Sequence, residues 1–227
     1  MQAKRCQGST LAYLMVEPDG YTAEVDYPLV VLLHGFGASM DDLAGLCPAI
    51  DRGGYLYACP NGPLPFAIAP GVTGYGWTPP RGQAAAEDAG RAKDLLDAFF
   101  QEVMELYNVP PGRVLLGGFS QGGGMTYRCG LPRPETFRGL AALSSVMPEP
   151  AELRPTLPGP RTQAIFISHG TSDDILPVEE GRKALEFLQA EGYAPDYREY
   201  PMRHEINAAV MGDLVPWIRD LLPPATP

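Results

Sequence analysis

The sequence is poor in the residues that build metal and redox chemistry. It has three histidines and four cysteines in 227 residues. Cys6, Cys47, Cys59 and Cys129 form no C-x-x-C pair, and no histidine stands near them. A metal site and a dense disulfide framework are both unsupported. A Cys47–Cys59 bridge would need an oxidising compartment, and separate buried thiols are the simpler expectation. Long apolar runs are missing too. No segment approaches the roughly 18 apolar residues of a membrane span, and Met1 to Gly20 has Lys4 and Arg5 but no apolar stretch of signal-peptide length. The expectation is a soluble, cytoplasmic protein with no stable membrane insertion. Basic charge is scarce: 17 Lys and Arg face 27 Asp and Glu, for a formal net charge of −10. Such a surface repels phosphate backbones and anionic bilayers, which argues against nucleic acid as a partner.

Apolar material is not lacking. At 45% hydrophobic and 19% charged, the chain can bury a sizeable core, which excludes disorder as the dominant state. No repeat or low-complexity linker divides it, so residues 1–227 are expected to form a single domain. Val30 to Leu33, Tyr55 to Cys59, Val114 to Leu116, Leu140 to Leu143, Ala164 to Ile167 and Tyr197 to Tyr200 read as short strands. Helical spacing appears over Ala84 to Tyr107, about Gln121 to Cys129, Val178 to Ala190 and Ile206 to Leu222, with Pro216 expected to kink or split the last. Residues 64–83 and Met147 to Arg161 read as loops rich in Gly or Pro. Ser9 to Val16 is a candidate antiparallel edge. The alternation predicts an α/β fold: a mostly parallel sheet with helices on both faces, ligands at the carboxyl ends of the strands, and no room for a cap domain.

The sharpest motif is Gly118-Phe119-Ser120-Gln121-Gly122, a G-x-S-x-G pentapeptide between a strand and a helix. That context is what a nucleophile elbow requires, and glycines flank the serine because side chains there would collide. A serine hydroxyl needs a base, usually histidine, oriented by a carboxylate. In this kind of sheet the order is Ser, acid, His, and only His204 leaves room for an acid after Ser120. The acid lies in His169-Gly170-Thr171-Ser172-Asp173-Asp174, where two aspartates compete; His169 reads as structural, bonding within the turn. An oxyanion hole needs the N–H after the nucleophile, that of Gln121, and one from His34-Gly35-Phe36-Gly37, best from Phe36.

Leu33-His34-Gly35-Phe36-Gly37, Pro60-Asn61-Gly62-Pro63, Gly117 to Gly123, His169-Gly170-x-x-Asp173-x-x-x-Pro177 and His204-Glu205-Ile206 together resemble the phospholipase/carboxylesterase family of α/β-hydrolases over roughly residues 29–218. The resemblance implies a Ser120–Asp173–His204 triad, Phe36 and Gln121 as oxyanion donors, no cofactor and no cap domain. Homodimers are frequent in the family, so one is an expectation here. The sequence departs from the family pattern at Ala38-Ser39, at Gly76-Trp77-Thr78-Pro79, and at Arg203, where glycine is common. Trp77, in the long loop, and Leu176, past the acid turn, are candidate substrate-binding residues; the alternative for each is packing. The expected reaction is hydrolysis of small, neutral carboxylic esters through an acyl-enzyme. Acyl-thioester or lysophospholipid hydrolysis and a feruloyl-type aromatic preference are the runners-up.

Overall fold

Leu29 to Leu33 has no polar position, so a strand built from it needs apolar cover on both faces. In the computed structural model, which describes residues 1–80, 82, 83 and 85–226, such runs form the centre of an eight-stranded sheet. In chain order the elements are β1 (Gln2–Gln7), β2 (Ala12–Glu17), β3 (Leu29–Leu33), α1 (Cys47–Ile50), β4 (Leu56–Pro60), β5 (Leu64–Ala69), β6 (Val72–Gly76) and α2 (Ala86–Leu106). They continue with β7 (Val114–Phe119), α3 (Gln121–Gly130), β8 (Phe137–Leu143), α4 (Pro150–Leu153), β9 (Ala164–Gly170), α5 (Val178–Ala190), β10 (Asp196–Tyr200) and α6 (Ala208–Leu221). The sheet order is β1-β2-β4-β3-β7-β8-β9-β10. All pairings are parallel except β1–β2 and β2–β4.

Period-two alternation divides each central strand between two cores. Leu29, Val31 and Leu33 join Leu96, Phe99 and Val103 of α2 on one face. Val30 and Leu32 join Val210, Leu214 and Ile218 of α6 on the other. Each such side chain contributes about 1.5–3 kcal/mol on burial, so the sheet is a firm frame. Because β3, β7, β9 and β10 are parallel, their carboxyl ends share one edge. His34, Ser120, the turn after Gly170 and the loop holding His204 all follow those ends.

Four expectations need correcting. The sheet edge is β1, and the strand foreseen near Ser9 to Val16 is β2, one place further in. β1 is almost wholly exposed, so no burial pattern marks it. Residues 64–83 are not a plain loop: β5 and β6 form an antiparallel hairpin, turned at Pro70-Gly71 with Gly71 at φ 74°. Within Met147 to Arg161 lie α4 and a short 3-10 turn. Pro216 does not split α6. It sits on the exposed face, as does Gly212 one turn earlier, so water can satisfy the carbonyl that the proline leaves without a donor. The expected helix start at Ala84 lies outside the described residues. The four cysteines are free, and Cys47, Cys59 and Cys129 are buried. A hydrogen bond with Cys47, reinforced by burial, pushes the Cys59 thiol well above its ordinary range.

Candidate active site

Ser120 stands between β7 and α3 at φ 54° and ψ −118°, a region that side chains rarely occupy. The flanking glycines make this crowding tolerable. A Cβ at Gly118 would run into the Gly122 carbonyl, and one at Gly122 into the Leu33 carbonyl. The turn thereby lifts Ser120 clear of the sheet, and its N–H donates to the Leu143 carbonyl at 2.9 Å.

His204 reaches the serine from the loop after β10. Its Nε2 lies 2.9 Å from Ser120 Oγ, and its Nδ1 lies 2.7 Å from Asp173 Oδ2. A carboxylate only accepts, so Nδ1 carries the proton and Nε2 is left to accept from the hydroxyl. The His204 ring also packs on Phe119, centroids 4.7 Å apart. Asp173 is buried, yet its second oxygen is fully used: Oδ1 accepts the N–H groups of Ile175 at 3.0 Å and Leu176 at 2.8 Å. His169 supports the same turn. Its Nε2–H donates to the Leu176 carbonyl at 2.8 Å and stands 3.5 Å from Asp173 Oδ2. Backbone bonds from Thr171 N–H to Tyr200 and from Ser172 N–H to Met202 join the acid turn to the histidine loop. Asp174 pairs with Arg203, and that guanidinium holds its carboxyl below the usual carboxylate range. It does not cap α5, whose N-cap is Pro177.

The loop expected to supply an oxyanion donor is held from the opposite side. His34 is buried; Gly62 N–H donates to its Nε2 at 2.9 Å, so its Nδ1–H donates to the Gly35 carbonyl at 2.7 Å. Burial pushes the His34 imidazole below its ordinary pKa. Gly35 packs against the elbow, where a Cβ would press on Phe119 and Ser120. Gly37 N–H donates to Tyr75 and Tyr75 N–H to Ala38, stitching this loop to β6. The Phe36 ring, 42% exposed, stacks on Phe66 of β5 with centroids 4.6 Å apart.

The structure thus brings Ser120, Asp173 and His204 together, with Phe36 and Gln121 on adjoining turns. Trp77 is placed differently from a pocket wall. Its indole is 1% exposed, and Nε1–H donates to the His34 carbonyl at 2.9 Å, so it anchors its own segment. Leu176 is likewise a packing residue whose N–H and carbonyl serve the acid turn. The apolar side chain exposed on that turn is its neighbour Ile175, at 63%. Phe66 and Ile175 escaped the sequence reading; the alternation Leu64, Phe66, Ile68 before Pro70-Gly71 was the available signal for the first. Among the described residues no group of three or more His, Cys, Asp and Glu side chains is placed to hold a metal ion, and no helix is long and apolar enough to cross a membrane.

Residues 22–222 match the family described as Phospholipase/Carboxylesterase. Acyl-protein thioesterase 1 of Mycosarcoma maydis is 32% identical over 145 residues, covering 61% of this chain and 56% of that protein. Acyl-protein thioesterase 1 of Emericella nidulans is 26% identical over 216 residues, 86% of this chain and 90% of that one. Among solved structures, esterase PE8 superposes with a TM-score of 0.80 at 26% identity, covering 94% of this chain and 100% of its own. The chain therefore spans little more than half the length of the first of these relatives and nearly all of the second.

Proposed function

The chain belongs to the phospholipase/carboxylesterase family, and from that membership and the site geometry we propose that it is a serine hydrolase of small, neutral carboxylic esters. The observation that carries this reading is the pair of contacts of 2.9 Å and 2.7 Å that link Ser120 through His204 to a buried Asp173. Ser120 Oγ attacks the ester carbonyl while His204 Nε2 takes its proton, and Asp173 fixes the tautomer and stabilises the imidazolium. The carbonyl oxygen becomes an oxyanion that accepts from the N–H groups of Phe36 and Gln121. Collapse breaks the bond to the alcohol, which leaves with the proton returned by His204, and Ser120 retains the acyl group. Water, deprotonated by the same imidazole, then releases the acid and restores the serine.

Replacing Ser120 by Ala should lower hydrolysis of a nitrophenyl ester by about 10⁴-fold or more in a protein that still folds. A fluorophosphonate should label Ser120 alone. Activity retained in Ser120→Ala, or labelling that persists there, would overturn the assignment. A second reading, acyl-thioester hydrolysis, is favoured by the exposed apolar side chains Leu64, Ile68 and Val72 on the hairpin beside Phe36. Comparing kcat/KM for a short ester, methyl ferulate and a long-chain acyl thioester decides between them; a thioester preferred tenfold or more would replace the small-ester reading.

A further inference from the structure

An oxyanion hole made of backbone N–H groups is only as good as their placement, because donors must lie about 2.7–3.1 Å from where the charge develops. Here the two N–H groups belong to segments far apart in the chain. Neither donates to another group among the described residues. Gln121 is the first residue of α3, so its N–H has no partner within the helix. The Phe36 N–H belongs to a loop carried on β3, and something must hold that loop at a fixed distance from the elbow.

The Gln121 side chain is directed at the end of β6. Its Oε1 accepts the Trp77 N–H at 2.7 Å, and its Nε2 donates to Thr78 Oγ1 at 2.8 Å and to the Thr78 carbonyl at 3.1 Å. From there a chain of bonds runs back to the oxyanion loop. The Trp77 indole N–H holds the His34 carbonyl, and the His34 ring holds the Gly35 carbonyl on one nitrogen and the Gly62 N–H on the other. The Gly37 N–H is pinned by the Tyr75 carbonyl. Phe36 therefore lies between two residues that are each tied, and the tie ends on the residue that supplies the other N–H. All three bonds of the Gln121 amide go to one dipeptide, and both its donor and its acceptor faces are matched.

We propose that Gln121 acts twice in the hole: its N–H donates to the substrate oxyanion, and its side-chain amide straps the 77–78 segment, and through Trp77 and His34 the Phe36 loop, to the elbow. The Gln121 amide, Trp77 and His34 are positioning residues for the oxyanion hole. This rests on the serine-hydrolase reading above. Misplacing a reacting group by about 1 Å can cost on the order of 100-fold, while ground-state binding of a small ester, which gains little from the hole, should barely change.

The test uses the full chain and Gln121→Met, which keeps the backbone N–H and the side-chain length but removes all three amide bonds. Four quantities are measured: kcat, KM, thermal midpoint, and Ki for an alkyl trifluoromethyl ketone, which forms a tetrahedral adduct with serine. The strap predicts kcat lower by about 10- to 100-fold, KM within about twofold, and ketone affinity weakened by the same factor as kcat. Gln121→Glu, which keeps the acceptor for Trp77 N–H but lacks the donor for the Thr78 carbonyl, should fall between. In Trp77→Phe, which lacks the indole N–H, the Gln121→Met change should cost less than it does alone, because both break the same strap. Unchanged kcat and ketone affinity in Gln121→Met, with Ser120→Ala inert, would overturn the strap and leave the serine assignment standing. A fall in thermal midpoint with kcat and ketone affinity preserved would also overturn it. Activity retained in Ser120→Ala would instead remove the underlying assignment.

Discussion

The two loops that flank Ser120 are held by different means. On the acid side, the carboxylate is held within its own turn: Asp173 Oδ1 caps two N–H groups there, and His169 closes the turn onto Leu176. On the oxyanion side, the His34 to Ala38 loop makes few such bonds within itself and depends on β6, on Gly62 and, through Trp77, on Gln121. The carboxylate is fixed by local geometry, and the N–H donor by partners brought together only by the completed fold.

The largest effect is expected on the acid side. Asp173→Asn preserves the shape of the turn and can still accept at Oδ1, but it removes the charge that holds the His204 tautomer. It should lower kcat by about 10⁴-fold with the protein folded, as steady-state rates beside circular dichroism would show. Loss of folding with Asn in place would mean that the turn depends on the charge as well as on the hydrogen bonds. The amide variants of Gln121, with effects of about 10- to 100-fold, come next and sharpen the same contrast from the other side.

How far each side was legible in the sequence follows from this difference. Ser120, His204 and the 169–174 segment were readable because a strand, a glycine-bounded turn and a fixed chain order are local signals. Asp173 was separated from Asp174 by resemblance alone. In the structure Asp174 is exposed and paired with Arg203, while Asp173 is buried against two imidazoles. The hairpin was missed because Gly and Pro dominate residues 70–83, and its outward apolar side chains mimic a loop more than a core. The Gln121–Trp77 bond spans 44 positions, and no local pattern encodes it. Trp77 was visible as an aromatic in the right loop, but which way its ring faced depended on the His34 carbonyl, at the end of another strand.

A smaller effect tests the reach of the oxyanion side. His34 must be neutral to accept the Gly62 N–H, and burial lowers its folded pKa below the value of about 6.5 for a free imidazole. Below that value the unfolded chain binds the proton more readily than the folded one, so stability rises with pH there. The contribution is complete above about pH 6.5 and is lost as pH falls toward the folded pKa. The gap in thermal midpoint between the native protein and His34→Gln should therefore narrow from pH 7 to pH 5. A gap that stays constant would show that His34 does not carry this proton linkage.

The smallest effect belongs to Asp174. It sits next to the proposed catalytic acid and bonds to the residue next to the proposed base. Yet both partners are largely exposed, at 53% and 73% for their side chains, and solvent screens such pairs so that their worth is small. Nor do they carry the link between the two loops, since Thr171 and Ser172 already join it through backbone bonds to Tyr200 and Met202. Asp174→Asn and Arg203→Ala should each leave kcat within a factor of about three, with any shift in thermal midpoint diminished further by added salt. A loss approaching that of Asp173→Asn would mean that the exposed pair, and not the backbone, sets the position of His204, and the acid side would then be as dependent on distant partners as the oxyanion side.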